Sequence, residues 1–364
     1  MENIKIGILT FHNADNYGAV LQAYALQQYI FNNISTDVEI IDYRKKNEER
    51  GFSLFRGSTH SPVKNLVLNI LHLIQRRSLK ITHQKFEQFR MEWLKLTKER
   101  YESENALANA DAYDYYITGS DQVFNPRLSD YRAYYLSTIS GRGKKLAYAP
   151  SFGISSFSDA ITQQILPLLK DFVAVSCREV SGAKYLSGIL QVEIPVVLDP
   201  VFLLTKDDWE HVAVAPSMKK KYLLVYCLSK GKSSKINRLA HSIAKKENLS
   251  VVTIGSSGLF TSNGVKGCGP REFVGYFQHA DFVLTDSFHG TSFSLIFGKR
   301  HLSYIANKDK GTRIEAVMSA FGKANEIIYD IDNYEYQAAK VCSTRNFPAE
   351  LLDKSKHYLH DHLK

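Results

Sequence analysis

Two polar stretches, each set between a buried run and an amphipathic one, constrain this chain more than any other feature. Thr10-Phe11-His12-Asn13-Ala14-Asp15-Asn16-Tyr17-Gly18-Ala19 follows the apolar run 4–9, and Asp286-Ser287-Phe288-His289-Gly290-Thr291 follows 282–284. Each apolar run reads as a buried strand and each following segment as a helix. Open α/β sheets bind ligands at the carboxyl ends of their strands. A helix start there adds unpaired N–H groups and a partial positive charge, which suits an anion. One such junction in each half predicts two α/β domains around a shared cleft.

The rest of the chain repeats the alternation. Strands are expected at 4–9, 38–43, 113–118, 145–149, 172–176 and 195–198, with helices at 18–31, 161–170 and 179–186. A second series has strands at 222–227, 250–254, 281–284 and 302–305, with helices at 232–247, 271–279, 291–297 and 313–321. Such alternation implies mostly parallel sheets covered on both faces. A chain of 364 residues exceeds one typical core. Asp199-Pro200 with the stretch to Asp208 marks the boundary. The expected division is 1–200 and 201–347, both Rossmann-like, with a final helix at 348–364 crossing back to complete the first domain.

Charge matters in one window. Residues 44–100 hold 14 Lys and Arg against 5 Glu, equal to the chain's whole net charge of +9. Val63, Leu66, Val67, Ile70 and Ile74 there share one helical face, broadened by Leu71 and Leu73. A second helix is expected to carry Phe86, Phe89 and Trp93 on one stripe. This basic helical insertion in the first domain either lies on an anionic membrane surface or packs on its own domain with a solvated basic face. The second reading is favoured, and no nucleic-acid motif accompanies the charge. The opening residues lack a basic leader and a cleavage-like site, and no run approaches the length of a membrane helix. Cys177, Cys227, Cys268 and Cys342 are widely spaced singles, suggesting neither a disulfide framework nor a zinc site. A cytoplasmic protein is expected, peripheral at the inner face of a membrane if the insertion binds lipid.

Three polar clusters end strands of the first half: His12 to Tyr17, Gly119-Ser120-Asp121-Gln122, and Ser151 to Gly153. In a parallel sheet they share one edge. Asn16 and Asp121 can equally be helix caps or turn formers, and Asn13 a turn residue. In the second half His289 opens a helix, where it can contact a phosphate or exchange a proton near neutral pH. Ser287 can cap that helix, and Gly290 permits close backbone approach. Arg178, and Arg313 behind Lys308 and Lys310, can each clamp an anion bidentately. A surface salt bridge is the plainer reading of both. No Walker loop, Gly-x-Gly-x-x-Gly, Gly-x-Ser-x-Gly or spaced metal-ligand set is present.

Taken in order, Phe11…Asn16-Tyr17-Gly18-Ala19-Val20-Leu21-Gln22-Ala23-Tyr24-Ala25-Leu26, Thr118-Gly119-Ser120-Asp121-Gln122-Val123-Phe124-Asn125, Ser176-Cys177-Arg178-Glu179, Val197-Leu198-Asp199-Pro200 and Thr285-Asp286-Ser287-Phe288-His289-Gly290 resemble the polysaccharide pyruvyl transferase family over residues 4 to about 320. Phe124 stands where that family often has tryptophan. The resemblance implies a GT-B-like pair of Rossmann-like domains around a central cleft. It implies transfer of pyruvate from phosphoenolpyruvate onto a sugar as a cyclic ketal, without nucleotide sugar, cofactor or required metal. The acceptor would be a cell-surface polysaccharide or capsule glycan, or its polyprenyl-diphosphate-linked precursor.

On this reading Arg178, His289, Ser287, Gly290 and Arg313 bind phosphoenolpyruvate, and His12, Asn13, Asn16, Tyr17, Gly119, Ser120 and Gln122 face the acceptor. His289 serves as acid, with Asp121 or Asp15 as base. Two other readings stay open from sequence: a GT-B glycosyltransferase using a nucleotide sugar, and a catalytically silent membrane-associated scaffold.

Overall fold

The computed structural model describes residues 4–45, 62–139, 143–154, 157–229, 233–255, 264–306, 308–343 and 347–364, with backbone only at 62–76, 233 and 308–310. The apolar face expected on 63–74 and the Lys308 and Lys310 side chains therefore lie outside the described residues.

The first sheet is built from β1 (Ile6–Leu9), β2 (Val38–Tyr43), β3 (Leu96–Tyr101), β4 (Tyr115–Thr118), β5 (Lys144–Ala147) and β6 (Phe172–Val175). Its order is β3-β2-β1-β4-β5-β6 and each neighbouring pair is parallel. Helices α1 (Tyr17–Asn33), α2 (Pro62–Trp93), α3 (Tyr131–Tyr134), α4 (Asp159–Leu169) and α5 (Val180–Leu190) connect or follow these strands. α6 (Lys206–Val212) then leads to the second sheet, made of β7 (Tyr222–Tyr226), β8 (Ser250–Ile254), β9 (Phe282–Thr285), β10 (Arg300–Tyr304) and β11 (Ile327–Ile328). It too is parallel throughout, in the order β11-β10-β9-β7-β8. Its helices are α7 (Ser233–Glu247), α8 (Pro270–His279), α9 (Phe288–Ile296) and α10 (Lys308–Ala320).

Both orders reverse direction once, and each reversal opens a crevice at the carboxyl ends of two strands. In the first sheet the crevice lies between β1 and β4, so the loops at 10–16 and 119–122 meet there. In the second it lies between β7 and β9, where the Asp286 carboxylate accepts hydrogen bonds from the Leu228 and Ser229 N–H groups at 2.6 and 3.0 Å. The last helix, α11 (Ala349–His362), returns to the first half. Ser355 Oγ accepts from the Leu198 N–H at 2.9 Å, and the Tyr358 hydroxyl donates to the Ala147 carbonyl at 3.0 Å.

The two halves share a continuous apolar core. Buried residues of α1, the segment 197–204, α6, α8 and α9 form one cluster, in which Tyr24, Trp209 and Phe293 are packed in sequence. Tyr17 crosses the divide: its ring stacks on Phe273 at 4.4 Å, and its hydroxyl donates to the Cys268 carbonyl at 3.0 Å.

The insertion departs from expectation. One helix, α2, replaces the expected pair, and the window ends in a strand, β3. β3 reads Leu-Thr-Lys-Glu-Arg-Tyr and sits at the sheet edge, so one polar face meets solvent and the period-two signal is weak. The expected strand at 195–198 is only an isolated bridge of Val196 to Cys177. Phe86 and Phe89 of α2 are fully buried in the core. The described basic residues of the window are mostly paired: Arg90 with Asp15 and Glu87, Arg44 with Asp42, Lys85 with Glu272, and Lys95 with Asp37. Among the described residues no helix is long and apolar enough to cross a membrane.

Tyr17→Ala is expected to destabilise the protein by about 3–5 kcal/mol, the range for deleting a buried aromatic ring, as read by urea unfolding. Tyr17→Phe, which leaves only the Cys268 carbonyl unpaired, should cost about 1–3 kcal/mol.

Candidate active site

The loops of the first crevice are stitched to each other before they reach solvent. Thr10 Oγ1 donates to the Ser120 carbonyl at 3.0 Å and accepts from Gln22 Nε2 at 2.9 Å. Gly119 is needed beside it, because a Cβ there would lie 2.8 Å from Thr10 Cβ. His12 is buried, with Nε2 2.9 Å from Asp42 Oδ1 and Nδ1 3.1 Å from the Thr10 carbonyl, so it braces the loop from behind. Asn16 caps α1, its Oδ1 accepting from the Gly18 and Ala19 N–H groups. Asp15 is held by α2, with Arg90 and His83 each 2.8 Å from its carboxylate. Asn13 and Gln122 are half-buried at the rim.

Asp121 has a backbone that its side chain does not favour. At φ 73°, ψ −169° it occupies a region essentially reserved for glycine. Its carboxylate accepts from the adjoining Gln122 N–H at 2.9 Å, and Oδ1 lies 3.7 Å from Arg178. Strain of this kind persists only where the surroundings over-determine it, and it concentrates at functional sites.

The centre of the site is an acid that the sequence reading placed at a domain boundary. Asp199 is buried, and its Oδ2 receives Arg178 Nη1 at 2.5 Å and the Ser120 hydroxyl at 3.0 Å. His289 Nε2 lies 3.7 Å from the same oxygen. Burial alone would push the Asp199 carboxyl up, but His289 and the Arg178 guanidinium overcome it and hold the group well below the usual carboxylate range. Asp199 was legible as a polar residue at the end of an apolar run; the following proline drew attention to chain direction instead.

His289 and Arg178 are thus joined through one carboxylate, and both keep unused donors or acceptors. Nε and Nη2 of Arg178 and Nε2 of His289 are buried without a hydrogen-bond partner. The imidazole rests directly on the opening turn, where a Cβ on Gly18 would lie 1.9 Å from His289 Nδ1. Ser287 caps α9 by accepting from the Gly290 N–H at 3.3 Å. Gly290 does allow a close approach, to Thr285 Oγ1 of the preceding strand, 2.2 Å from a notional Cβ.

Beside this cluster lies a cavity of about 480 Å³, lined by Arg178, Val180, Asp199, Phe288 and Arg313 among others. Both guanidiniums lie over the Phe288 ring, Arg178 at 4.6 Å and Arg313 at 6.0 Å. Arg178 is raised in spite of its burial, because Asp199 and Asp121 favour its charge. Arg313 is lowered by burial and then by the charge of Arg178, and no carboxylate pairs with it among the described residues. The lining holds two cations, Arg178 and Arg313, and two carboxylates, Asp199 bound to Arg178 and Glu315, which accepts from the Tyr329 hydroxyl at 2.8 Å; the guanidiniums are the groups there that suit a ligand carrying negative charge. Phe288, which seats both guanidiniums, was quoted in the sequence motif without a role.

Two parallel α/β sheets, joined at their strand ends through the Asp199 cluster, define a GT-B-like architecture of two Rossmann-like domains. The family model for polysaccharide pyruvyl transferase matches residues 16–309, and the chain belongs to that family. Among solved structures, the chain is similar to UDP-GlcNAc 2-epimerase from Methanocaldococcus jannaschii, with 14% identity, 98% of this chain and 92% of that chain covered, and a TM-score of 0.48. It is also similar to UDP-N-acetylglucosamine 2-epimerase from Rickettsia bellii, with 9% identity, coverage of 100% and 97%, and a TM-score of 0.42. A third similarity is to a mutant O-GlcNAc transferase from Thermobaculum terrenum, with 9% identity, coverage of 99% and 64%, and a TM-score of 0.44. No curated protein matches it in sequence.

Asp199→Asn leaves the buried Arg178 guanidinium with only the Asp121 carboxylate, at 3.7 Å, and should cost about 3 kcal/mol near neutral pH. Because the folded Asp199 carboxyl is lowered, its contribution is full above the unfolded carboxylate value of about 3.9 and is lost as pH falls through the lower folded value. The stability gap to Asp199→Asn should therefore stay level from neutral pH down to about 3.9, narrow below it as the unfolded carboxyl takes up protons, and stop changing once pH passes the lower folded value. Asp121→Gly should raise stability by about 1 kcal/mol through relief of backbone strain, in the same denaturation assay.

Proposed function

We propose that this protein transfers pyruvate from phosphoenolpyruvate to a sugar of a cell-surface polysaccharide or its lipid-linked precursor, forming a cyclic ketal. The observation that carries this reading is the buried Arg178–Asp199–His289 cluster, of which Arg178 and Asp199 line a cavity furnished with a second cation, Arg313. Phosphoenolpyruvate carries a carboxylate and a phosphate and needs two grips, which the two guanidiniums supply.

In this mechanism His289, oriented by Asp199, delivers a proton to the methylene carbon of the donor. Carbon 2 becomes oxocarbenium-like, and a sugar hydroxyl adds to it while giving its proton to Asp121. The bond from carbon 2 to the phosphate oxygen then breaks and phosphate leaves. A second hydroxyl of the same sugar then adds to carbon 2 and gives its proton back to His289, closing the ketal, while the proton held by Asp121 passes to the departing phosphate. Asn13, Asn16 and Gln122 stand at the rim where the acceptor would lie, while His12, Tyr17, Gly119 and Ser120 support that surface from within. Asp15 anchors the loop to α2 instead of acting as base.

The test is incubation with phosphoenolpyruvate and a panel of lipid-linked or aryl galactosides and N-acetylmannosaminides. Phosphate release and the mass gain of one ketal-linked pyruvyl group are read together. Absence of both with every acceptor overturns the reaction. His289→Ala should lower kcat by about 10²–10⁴-fold, the usual contribution of a positioned acid. Arg313→Ala should chiefly raise KM for phosphoenolpyruvate. Asp121→Gly, stabilising as it is, should lose most turnover.

A further inference from the structure

The loop that carries Asn13 and Asn16 is gripped at both ends by one chain of alternating charges. At its start, His12 lies 3.1 Å from the Thr10 carbonyl through Nδ1 and 2.9 Å from Asp42 Oδ1 through Nε2. Arg44 Nε donates to the same Asp42 oxygen at 2.6 Å, and its Nη1 lies 3.7 Å from Glu87 of α2. Glu87 in turn accepts from Arg90 Nη2 at 2.6 Å. At the far end of the loop that nitrogen also donates to Asp15 Oδ1 at 2.8 Å, while Nη1 donates to the Ala14 carbonyl at 3.3 Å. His83, two turns earlier on α2, meets the second Asp15 oxygen at 2.8 Å.

Arg90 is the member of this chain that holds the far end of the loop by its backbone. Its side chain is 1% exposed, and its Nε has no hydrogen-bond partner. A buried charged chain gains little net stability over apolar packing, and α2 already has an apolar seat in Phe86 and Phe89. What the guanidinium supplies is a fixed geometry, and that geometry is passed along the loop. The Ala14 carbonyl it holds also accepts from the Asn16 N–H at 2.8 Å. Asn16 Oδ1 receives the Gly18 and Ala19 N–H groups. Gly18 is the residue against which the His289 imidazole rests, with no room for a Cβ between them. One carbonyl, one cap and one glycine therefore separate Arg90 from His289.

We propose that Arg90 is a positioning residue for His289 and the acceptor rim: its planar fork fixes the turn at 14–16, and the turn fixes the imidazole together with Asn13 and Asn16. This rests on the reading of His289 as the proton donor, but the placement of the imidazole can be measured without any reaction. The basic insertion then has a role beyond packing, carried by the one side chain of α2 that reaches the loop backbone.

The experiment compares Arg90→Met, Arg90→Lys and Phe89→Leu in the full chain. Methionine has neither charge nor donors. Lysine keeps the charge but lacks the fork that serves Ala14 and Asp15 together. Phe89→Leu loosens the neighbouring apolar seat and leaves the charged chain intact. The first readout is the His289 Cε1–H cross-peak in a carbon–proton NMR spectrum, assigned by its absence in His289→Gln. It should shift or broaden in Arg90→Met, do so less in Arg90→Lys, and stay in place in Phe89→Leu, although the thermal midpoint falls in all three. The second readout is turnover. Arg90→Met should lower kcat about 10²-fold, the cost of misplacing a reacting group by about 1 Å, and leave KM for phosphoenolpyruvate within about twofold because Arg178 and Arg313 are untouched. KM for the acceptor should rise.

The proposal is overturned if the His289 cross-peak of folded Arg90→Met coincides with the native one, or if Phe89→Leu moves it as far. Loss of phosphoenolpyruvate affinity with kcat intact would overturn it equally. Should Arg90→Met not fold, Arg90→Lys and Asp15→Asn take its place, and a native cross-peak in both has the same consequence. If no acceptor is ever pyruvylated, the proposed reaction falls, and the cross-peak comparison still decides the role of Arg90.

Discussion

The site depends on one buried carboxylate. Asp199 has no access to water, and its charge is tolerable only because a guanidinium, a hydroxyl and an imidazole surround it. Each partner comes from a different place: Arg178 after β6, Ser120 after β4, and His289 at the start of α9. Satisfying that single group therefore sets the relative positions of three strand ends, one of them in the second sheet. Arg178 is held by Nη1, and its remaining edge is thereby aimed. Binding groups held in this way need little reorganisation when a ligand arrives.

Around this acid the two sheets act as matched frames. Each reverses its strand order once, and the reversal separates the loops on either side enough to admit side chains between them. The first crevice is filled by its own hydrogen bonds, through Thr10, Gln22 and Ser120, and so presents a rigid wall. The second is spanned by Asp286, which ties the 228–229 backbone to the start of the α9 turn. Apolar contact through Tyr17, Trp209 and Phe273 closes the frames on each other. Polar satisfaction positions the charged cluster, and aromatic burial supplies most of the cohesion.

Much of the fold was legible because parallel strands buried on both faces read as continuous apolar runs, as 222–226 does. β3 was not, because an edge strand with Lys98, Glu99 and Arg100 facing solvent resembles the end of a charged helix. In the charged cluster, His289 and Arg178 were singled out by their positions at strand ends. Asp199 was missed because its significance is the burial of its side chain, which is a tertiary fact; a carboxylate before proline looks like any turn. The strain at Asp121 was equally invisible, since no composition rule announces a left-handed backbone at a non-glycine residue. Tyr17 and Ser120 look like acceptor ligands in sequence but are engaged in internal contacts.

The long helix α2 joins what the sheets keep apart. On one side Phe86 meets Tyr17, and Arg90 reaches the Ala14 carbonyl and Asp15. On the other, the Ser78 hydroxyl accepts from the Gly267 N–H, and Lys85 pairs with Glu272 of α8. A Cβ at Gly267 would meet Ile81 at 2.6 Å, so the helix is seated on bare backbone there. The firmer seat is on the first half, where Phe86, Phe89 and Arg90 are buried; Ile81 and Lys85 face partly to solvent. Any hinge motion that parts the halves must peel α2 from the weaker seat, and the loop bearing Asp15 travels with the helix. The most basic stretch of the chain is thereby wired to the mouth of the cleft as its crossbar.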